Sequence, residues 1–315
     1  MTAPPLATAT RVGRLILPSP VMTASGTSGH GAELAPYVDL ASLGAVVVKS
    51  LSAAPYAGNP APRVHATPTG MINSVGLQGP GVEAWLEDDL PALLKHTPRV
   101  VASIWGFTVD DYAKAAAMLA SAPPEVVAVE VNLSCPNVED QRRMFAHDAG
   151  LAAAAVAATE ACRRPRWAKL SPNVTDVTEI AGAVLEAGAE ALTLVNTVMG
   201  MVIDLETRRP VLGSGERGGG LSGPAVHAVA VRAVFDCRAA FPEAPIVGVG
   251  GVVTGEDAAE LLLAGANAVQ VGTATFADPR APARVQDELA AWCRLHGVSD
   301  VNELIGAGHD HHHRH

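Results

Sequence analysis

Eight short apolar runs, each ending in a polar residue or glycine, constrain this 315-residue chain more than any other feature. They are PVMTAS (20–25), AVVVKS (45–50), VVASIWG (100–106), VVAVEVNLS (126–134), RWAKLS (166–171), ALTLVN (191–196), PIVGVGG (245–251) and AVQVGTAT (268–275). Their apolar character is continuous rather than alternating, which suits strands of a parallel sheet covered on both faces. Between them lie Ala/Leu-rich segments of helical spacing at 109–122, 150–164, 176–189, 223–240 and 255–266. Thr108, Asp176 and Thr254 stand where helices should be capped, and Gly188 and Gly265 where helices should stop. Eight parallel βα units close most economically into a single (β/α)8 TIM barrel, with an open doubly wound sheet as the lesser alternative. The expected layout is one barrel domain over 1–308 and a His-rich tail, HDHHHRH, over 309–315.

Composition narrows the partners. A formal charge of −10 opposes a sequence-independent grip on nucleic acid or on an anionic membrane. No run approaches the roughly 20 apolar residues of a membrane span, and the first residues lack the order of a secretory signal, so a cytoplasmic protein is expected. The four cysteines, Cys135, Cys162, Cys237 and Cys293, lie far apart with no C-x-x-C pair, which fits a reducing compartment and leaves no local framework for an iron–sulfur cluster. Metal binding by the histidine tail is not expected, because no structured ligand geometry is implied.

In a barrel of this kind, functional residues stand at the C-terminal ends of the strands. The residues there are polar and varied: Ser25, Lys49 and Ser50, Ser103, Asn132 with Ser134 and Cys135, Lys169 and Ser171, Asn196 and Thr197, Gly250 and Gly251, Gly272 and Thr273. Any one of them could be ordinary strand-end solvation. Two lysines and two asparagines on one rim point to a site. The glycine turns GVGG and VGTA follow the seventh and eighth strands, where backbone N–H groups can approach a phosphate closely. Two long excursions, 51–83 and 197–224, follow the second and sixth strands and are expected to wall the same face. A lone cysteine is more often a small buried hydrophobe. Here Pro136 forces a turn, so Cys135 is expected to project over the barrel mouth with an ordinary thiol pKa near 8.5.

The segments ASGTSGHG (24–31), VVVKS (46–50), GMINSVGLQGPG (70–81), VNLSCPN (131–137), AKLSPNVTD (168–176), LVNTVMGMVIDLETRRPVLG (194–213), GGLSGPA (219–225) and GVGGV (248–252) together resemble dihydroorotate dehydrogenase. They run in family order across nearly the whole chain. The resemblance implies a barrel holding FMN that oxidises (S)-dihydroorotate to orotate in pyrimidine synthesis. By that resemblance Ser25, Lys49, Ser50, Asn132, Lys169, Val195, Gly223, Gly250, Gly251, Gly272 and Thr273 would contact FMN, with Ser103 at a further flavin position where the family usually has asparagine. Substrate would be held by Lys49, by Asn73, Ser74, Val75, Gly76 and Leu77, by Asn132 and Asn137, and by Asn196 and Thr197. Cys135 would be the base that takes the C5 proton, with hydride passing from C6 to the flavin, and Lys169 would stabilise the reduced ring. The residue chemistry agrees, since asparagine amides suit the edges of an amide-rich ring and a lysine suits its carboxylate.

Cys135 in place of serine, and the lack of an N-terminal membrane-associating extension, resemble the soluble class 1 enzymes. The stretch NTVMGMVIDLETRRPVLG resembles the class 1B catalytic subunit, whose separate partner chain carries FAD and a [2Fe–2S] cluster and hands electrons to NAD+. A homodimer of barrels with two such subunits, a heterotetramer, would follow. Trp105, Val75 and Gly79 depart from the family pattern. The rival readings are a fumarate-linked class 1A enzyme, a dihydropyrimidine dehydrogenase-like FMN barrel, and a flavin-binding scaffold without catalysis.

Overall fold

The computed structural model describes residues 6–135 and 144–309. Eight strands, β1 (Val21–Thr23), β2 (Val46–Val47), β3 (Val100–Ile104), β4 (Val126–Asn132), β5 (Arg166–Lys169), β6 (Ala191–Leu194), β7 (Ile246–Val249) and β8 (Ala268–Val271), form one parallel sheet. Each strand is hydrogen-bonded to its sequence neighbour from β2 through to β8, and β8 pairs in turn with β1. At the β1/β2 seam the Thr23 N–H donates to the Ala45 carbonyl at 3.4 Å, and the Thr23 side chain adds to this: Oγ1 accepts from the Val47 N–H at 2.9 Å and donates to the Val47 carbonyl at 3.4 Å. The result is the (β/α)8 barrel expected from the strand pattern.

Strand alternation explains what fills it. In β3, β4, β5, β6, β7 and β8 the residues Val101, Ala128, Trp167, Ala191, Val247 and Ala268 belong to one apolar cluster, which Val12 and Leu17 of an N-terminal hairpin also join. Two residues further along the same strands come Ser103, Glu130, Lys169, Thr193, Val249 and Gln270, a mostly polar level nearer the C-terminal end. Side chains repeat every second residue on one face of a strand, so the two levels stack along the barrel axis. Trp167 is fully buried and is the largest side chain of the lower level; replacing it with alanine would cost about 3–5 kcal/mol. The opposite faces of the strands pack on the helices in a second, larger core.

The surrounding helices are α1 (Val109–Met118), α2 (Ala149–Ala158), α3 (Val177–Glu186), α4 (His227–Ala240), α5 (Gly255–Ala264) and α6 (Ala281–Leu295). Thr108 and Thr254 make reciprocal capping boxes with Asp111 and Asp257, and Asp176 accepts from the Thr178 N–H. These satisfy N–H groups that the first helical turn leaves without partners. Residues 224–226, within the expected helix 223–240, form a 3-10 turn instead, because Gly223 at φ +95° and Pro224 set the chain's direction before α4 begins. The helix α6 and a helical stretch over 82–93 were not among the segments singled out from the sequence. His309, in the expected tail, stacks on Phe235 with ring centroids 3.8 Å apart.

The two long excursions meet. Val64–Thr67 and Gly70–Asn73 from the first, with Val198–Gly200 and Gly219–Ser222 from the second, form a four-stranded antiparallel sheet. Glycine is required where they cross: a Cβ on Gly219 would lie 2.5 Å from the Asn73 carbonyl oxygen, and one on Gly220 would strike the Thr197 side chain. This small sheet roofs part of the barrel mouth and carries Asn73 to its edge.

Candidate active site

A cavity of about 820 Å3 lies between the C-terminal ends of the strands and this small sheet. It is lined by Ser25, Lys49, Ser50, Asn132, Lys169, Val195, Gly223, Gly250, Gly251, Gly272 and Thr273, and by Asn73, Ser74, Val75, Gly76, Leu77, Asn196 and Thr197. Two residues expected at the site, Ser103 and Cys135, are not on its wall. Asn137 lies outside the described residues. Ser103 is completely buried one level down in β3, with its Oγ 2.8 Å from Ser50 Oγ. Cys135 is also completely buried.

Cys135 corrects the expectation of a thiol projecting over the mouth. Its Sγ donates to the Asn132 carbonyl at 3.4 Å, and Tyr112 of α1 reaches the same carbonyl through its hydroxyl at 2.6 Å. Burial pushes the thiol up to about 12, with the contacts to Tyr112 and to the Gly106 backbone pulling only partly the other way. In this conformation the side chain facing the cavity from the same turn is Ser134, whose buried hydroxyl has no partner among the described residues. A proline restricts the backbone of the residue before it but leaves that residue's rotamer to its neighbours, and Tyr112 and Phe145 enclose the space behind the strand.

A chain of polar contacts spans the cavity. Ser25 Oγ lies 3.2 Å from Ser50 Oγ, Asn132 Nδ2 donates to Ser50 Oγ at 3.2 Å, and Asn196 Nδ2 donates to Asn132 Oδ1 at 2.9 Å. The amide of Asn132 is thereby fixed in one orientation. Asn173, quoted within AKLSPNVTD but given no role, donates from Nδ2 to Ser171 Oγ and the Thr197 carbonyl and accepts from the Met199 N–H, which shapes the loop carrying Asn196 and Thr197. Lys49 is more than half sequestered; burial and then the nearby Arg63 lower its pKa.

The glycine turns form a close-approach wall. Gly250 and Gly251 have φ of +141° and +68°, and a Cβ on Gly251 would lie 2.6 Å from His227 Cβ. His227 holds that turn: one ring nitrogen is 2.8 Å from the Gly250 carbonyl and the other 3.1 Å from Glu260 Oε2. Thr273 Oγ1 donates to Ser222 Oγ at 2.8 Å, tying the turn after β8 to the small sheet.

Two further site residues escaped sequence reasoning. Glu130 and Gln270 are fully buried beneath Lys169. Lys169 Nζ is 3.3 Å from Glu130 Oε1 and 3.3 Å from Gln270 Oε1, and Gln270 Nε2 donates to Glu130 Oε2 at 2.8 Å. A charged residue inside the apolar run VVAVEVN, at an inward position, was the available signal. Trp105 is buried too, in edge-to-face contact with Phe107 at 4.8 Å and Tyr56 at 5.4 Å, and Tyr56 and Phe107 themselves line the cavity.

A parallel barrel with lysines, amides and glycine turns converging on one cavity at its C-terminal end defines an enzyme of the (β/α)8 class. A family model described as dihydroorotate dehydrogenase matches residues 7–292. The chain is 52% identical over 303 residues to the dihydroorotate dehydrogenase B (NAD(+)) catalytic subunit of Desulforudis audaxviator, covering 96% of this chain and 97% of that protein. It is 48% identical to the subunit of the same name from Trichlorobacter lovleyi, covering 94% of this chain and 96% of that one, and 46% identical to that from Geobacter sulfurreducens with the same coverage. The chain belongs to the dihydroorotate dehydrogenase family, in its class 1B branch.

Proposed function

We propose that this protein oxidises (S)-dihydroorotate to orotate in pyrimidine synthesis, using FMN held in the cavity and passing electrons through a separate chain with FAD and a [2Fe–2S] cluster to NAD+. The observation that carries this reading is the convergence of Lys49, Lys169, Asn132 and Asn196 with the two glycine turns on one cavity. The residues present fit FMN. A cavity of about 820 Å3 is within the range of cofactor sites, and Gly223, Gly250 and Gly251 have conformations that glycine adopts freely, leaving backbone exposed where a phosphate can approach.

Gly250 and Gly251, with Gly272 and Thr273, would hold the phosphate, and Ser25, Ser50, Asn132, Val195 and Lys169 the ring. FMN when bound supplies the hydride acceptor for the C6 hydrogen. Lys49 binds the substrate carboxylate, and burial concentrates its charge by removing competing water. Asn73, Asn132 and Asn196 meet the ring amides as donor and acceptor, and Ser74 through Leu77 with Thr197 close the wall. Asn137 would add a further contact.

Cys135 takes the C5 proton. Only the thiolate can accept it, so the buried thiol described above is the resting state and turnover requires Sγ to leave the Asn132 carbonyl and face the cavity. Exchange of the C5 hydrogen with solvent during turnover, present in the parent protein and lost in Cys135→Ala, tests this role.

The working assembly is proposed as a homodimer of barrels with two electron-transfer subunits, acting in the cytoplasm. The relatives' printed description as catalytic subunits supports a partner chain. Among the described residues no helix is long and apolar enough to cross a membrane. Reconstitution with such a partner, measured as dihydroorotate-dependent NAD+ reduction that neither chain gives alone, tests the electron route.

A further inference from the structure

Glu130 and Gln270, buried beneath Lys169, have no part in the reading above, and their geometry is specific. An ammonium has three donors. Lys169 directs two of them at Glu130 Oε1 and Gln270 Oε1, both at 3.3 Å, and itself lines the cavity, so one donor is left for whatever occupies it. Gln270 is oriented by its own bond from Nε2 to the second oxygen of Glu130 at 2.8 Å, which turns its carbonyl oxygen toward the lysine. Glu130 is fully buried and Lys169 nearly so, and Lys169 is the one cation bonded to that carboxylate among the described residues.

A buried carboxylate in this position does more than fill space. Charges in a low-dielectric interior act strongly over a few ångströms, so Glu130 offsets part of the field that Lys169 presents to the cavity. A well-packed apolar residue would have left the lysine with its whole field but without a fixed position. We infer that Glu130 and Gln270 are positioning residues which aim the Lys169 ammonium at the flavin and, through the Glu130 charge, hold the flavin's reduction potential below the value a lone lysine would set. This rests on the proposed FMN site.

The test is the midpoint potential of bound flavin, measured by dye equilibration. Glu130→Gln removes the charge and keeps an amide of the same shape; it should move the potential to more positive values than in the parent protein. A tenfold gain in affinity for reduced over oxidised flavin corresponds to about 30 mV for two electrons. Glu130→Asp, which keeps the charge, should stay nearer the parent value. If Glu130→Gln does not fold, Gln270→Met leaves the ion pair in place and should give a smaller shift of the same sign. An unchanged potential in the folded, flavin-loaded variants overturns the inference, as do equal shifts in Glu130→Gln and Glu130→Asp, which would mark a packing effect. Both results would leave the functional reading intact provided the parent protein is bleached by dihydroorotate; a parent protein that holds no flavin overturns both.

Discussion

Ser103 Oγ lies 2.8 Å from Ser50 Oγ, and only Ser50 of the two reaches the cavity. The residue in the usual asparagine position therefore acts through its neighbour, holding the hydroxyl that also receives Asn132 Nδ2. Ser103→Ala should leave Ser50 short of one partner and weaken FMN retention by several-fold, in line with about 1 kcal/mol for a buried hydrogen bond, while KM for dihydroorotate stays close to the parent value. Flavin release followed by fluorescence checks this; an unaltered dissociation constant would remove Ser103 from the flavin network.

Gly251 has no alternative residue. Gly251→Ala combines a left-handed backbone position with a Cβ 2.6 Å from His227 Cβ. The expected result is a protein that folds with reduced stability, by about 1–2 kcal/mol from the backbone conformation alone, and binds FMN weakly because the turn has shifted. Titration calorimetry with FMN and a thermal melt separate the two effects.

Lys49→Ala should raise KM for dihydroorotate by about 10- to 100-fold, the size expected for losing a charge-assisted hydrogen bond of about 1.5–3 kcal/mol, and should lower the rate. Unchanged steady-state kinetics would contradict its contact with the substrate carboxylate.

The state of Cys135 predicts a pH dependence. Burial raises the thiol toward 12, so the neutral form is favoured and the thiolate fraction in the resting conformation grows as pH rises. Flavin reduction by dihydroorotate in single turnover should therefore keep rising with pH through and beyond the ordinary thiol range, rather than levelling off near neutrality. Cys135→Ala should slow it by about 10²- to 10⁴-fold with flavin still bound. The same shift affects stability with a definite sign. The folded thiol holds its proton to higher pH than the unfolded one, so its contribution is intact below the unfolded thiol's pKa and is lost as pH climbs above it. Alkaline denaturation profiles of the parent and Cys135→Ala proteins should diverge in that window.

The barrel was legible because its signals are local. Continuous apolar runs mark strands covered on both faces, and Thr108, Asp176 and Thr254 cap helices through bonds to residues two or three positions away. The rim residues were legible for a related reason: a strand's last residues must stand at its C-terminal end whatever surrounds them. The orientation of Cys135 has no local signal, because Tyr112, which packs at the Asn132 carbonyl behind it, arrives from helix α1. Glu130 and Gln270 meet only when β4 and β8 face each other across the closed barrel, 140 residues apart in sequence. The period of two along β3 does put Ser103 one level below the rim, a consequence available from the sequence once the barrel was assumed.

The central claim is most directly tested by an anaerobic visible spectrum of the purified chain, recorded before and after addition of dihydroorotate. The expected result is a yellow protein whose flavin band bleaches on addition and recovers with an artificial dye but scarcely with NAD+ until an electron-transfer subunit is supplied. A protein that stays colourless after FMN is supplied, or a flavin band that dihydroorotate does not bleach, would contradict it.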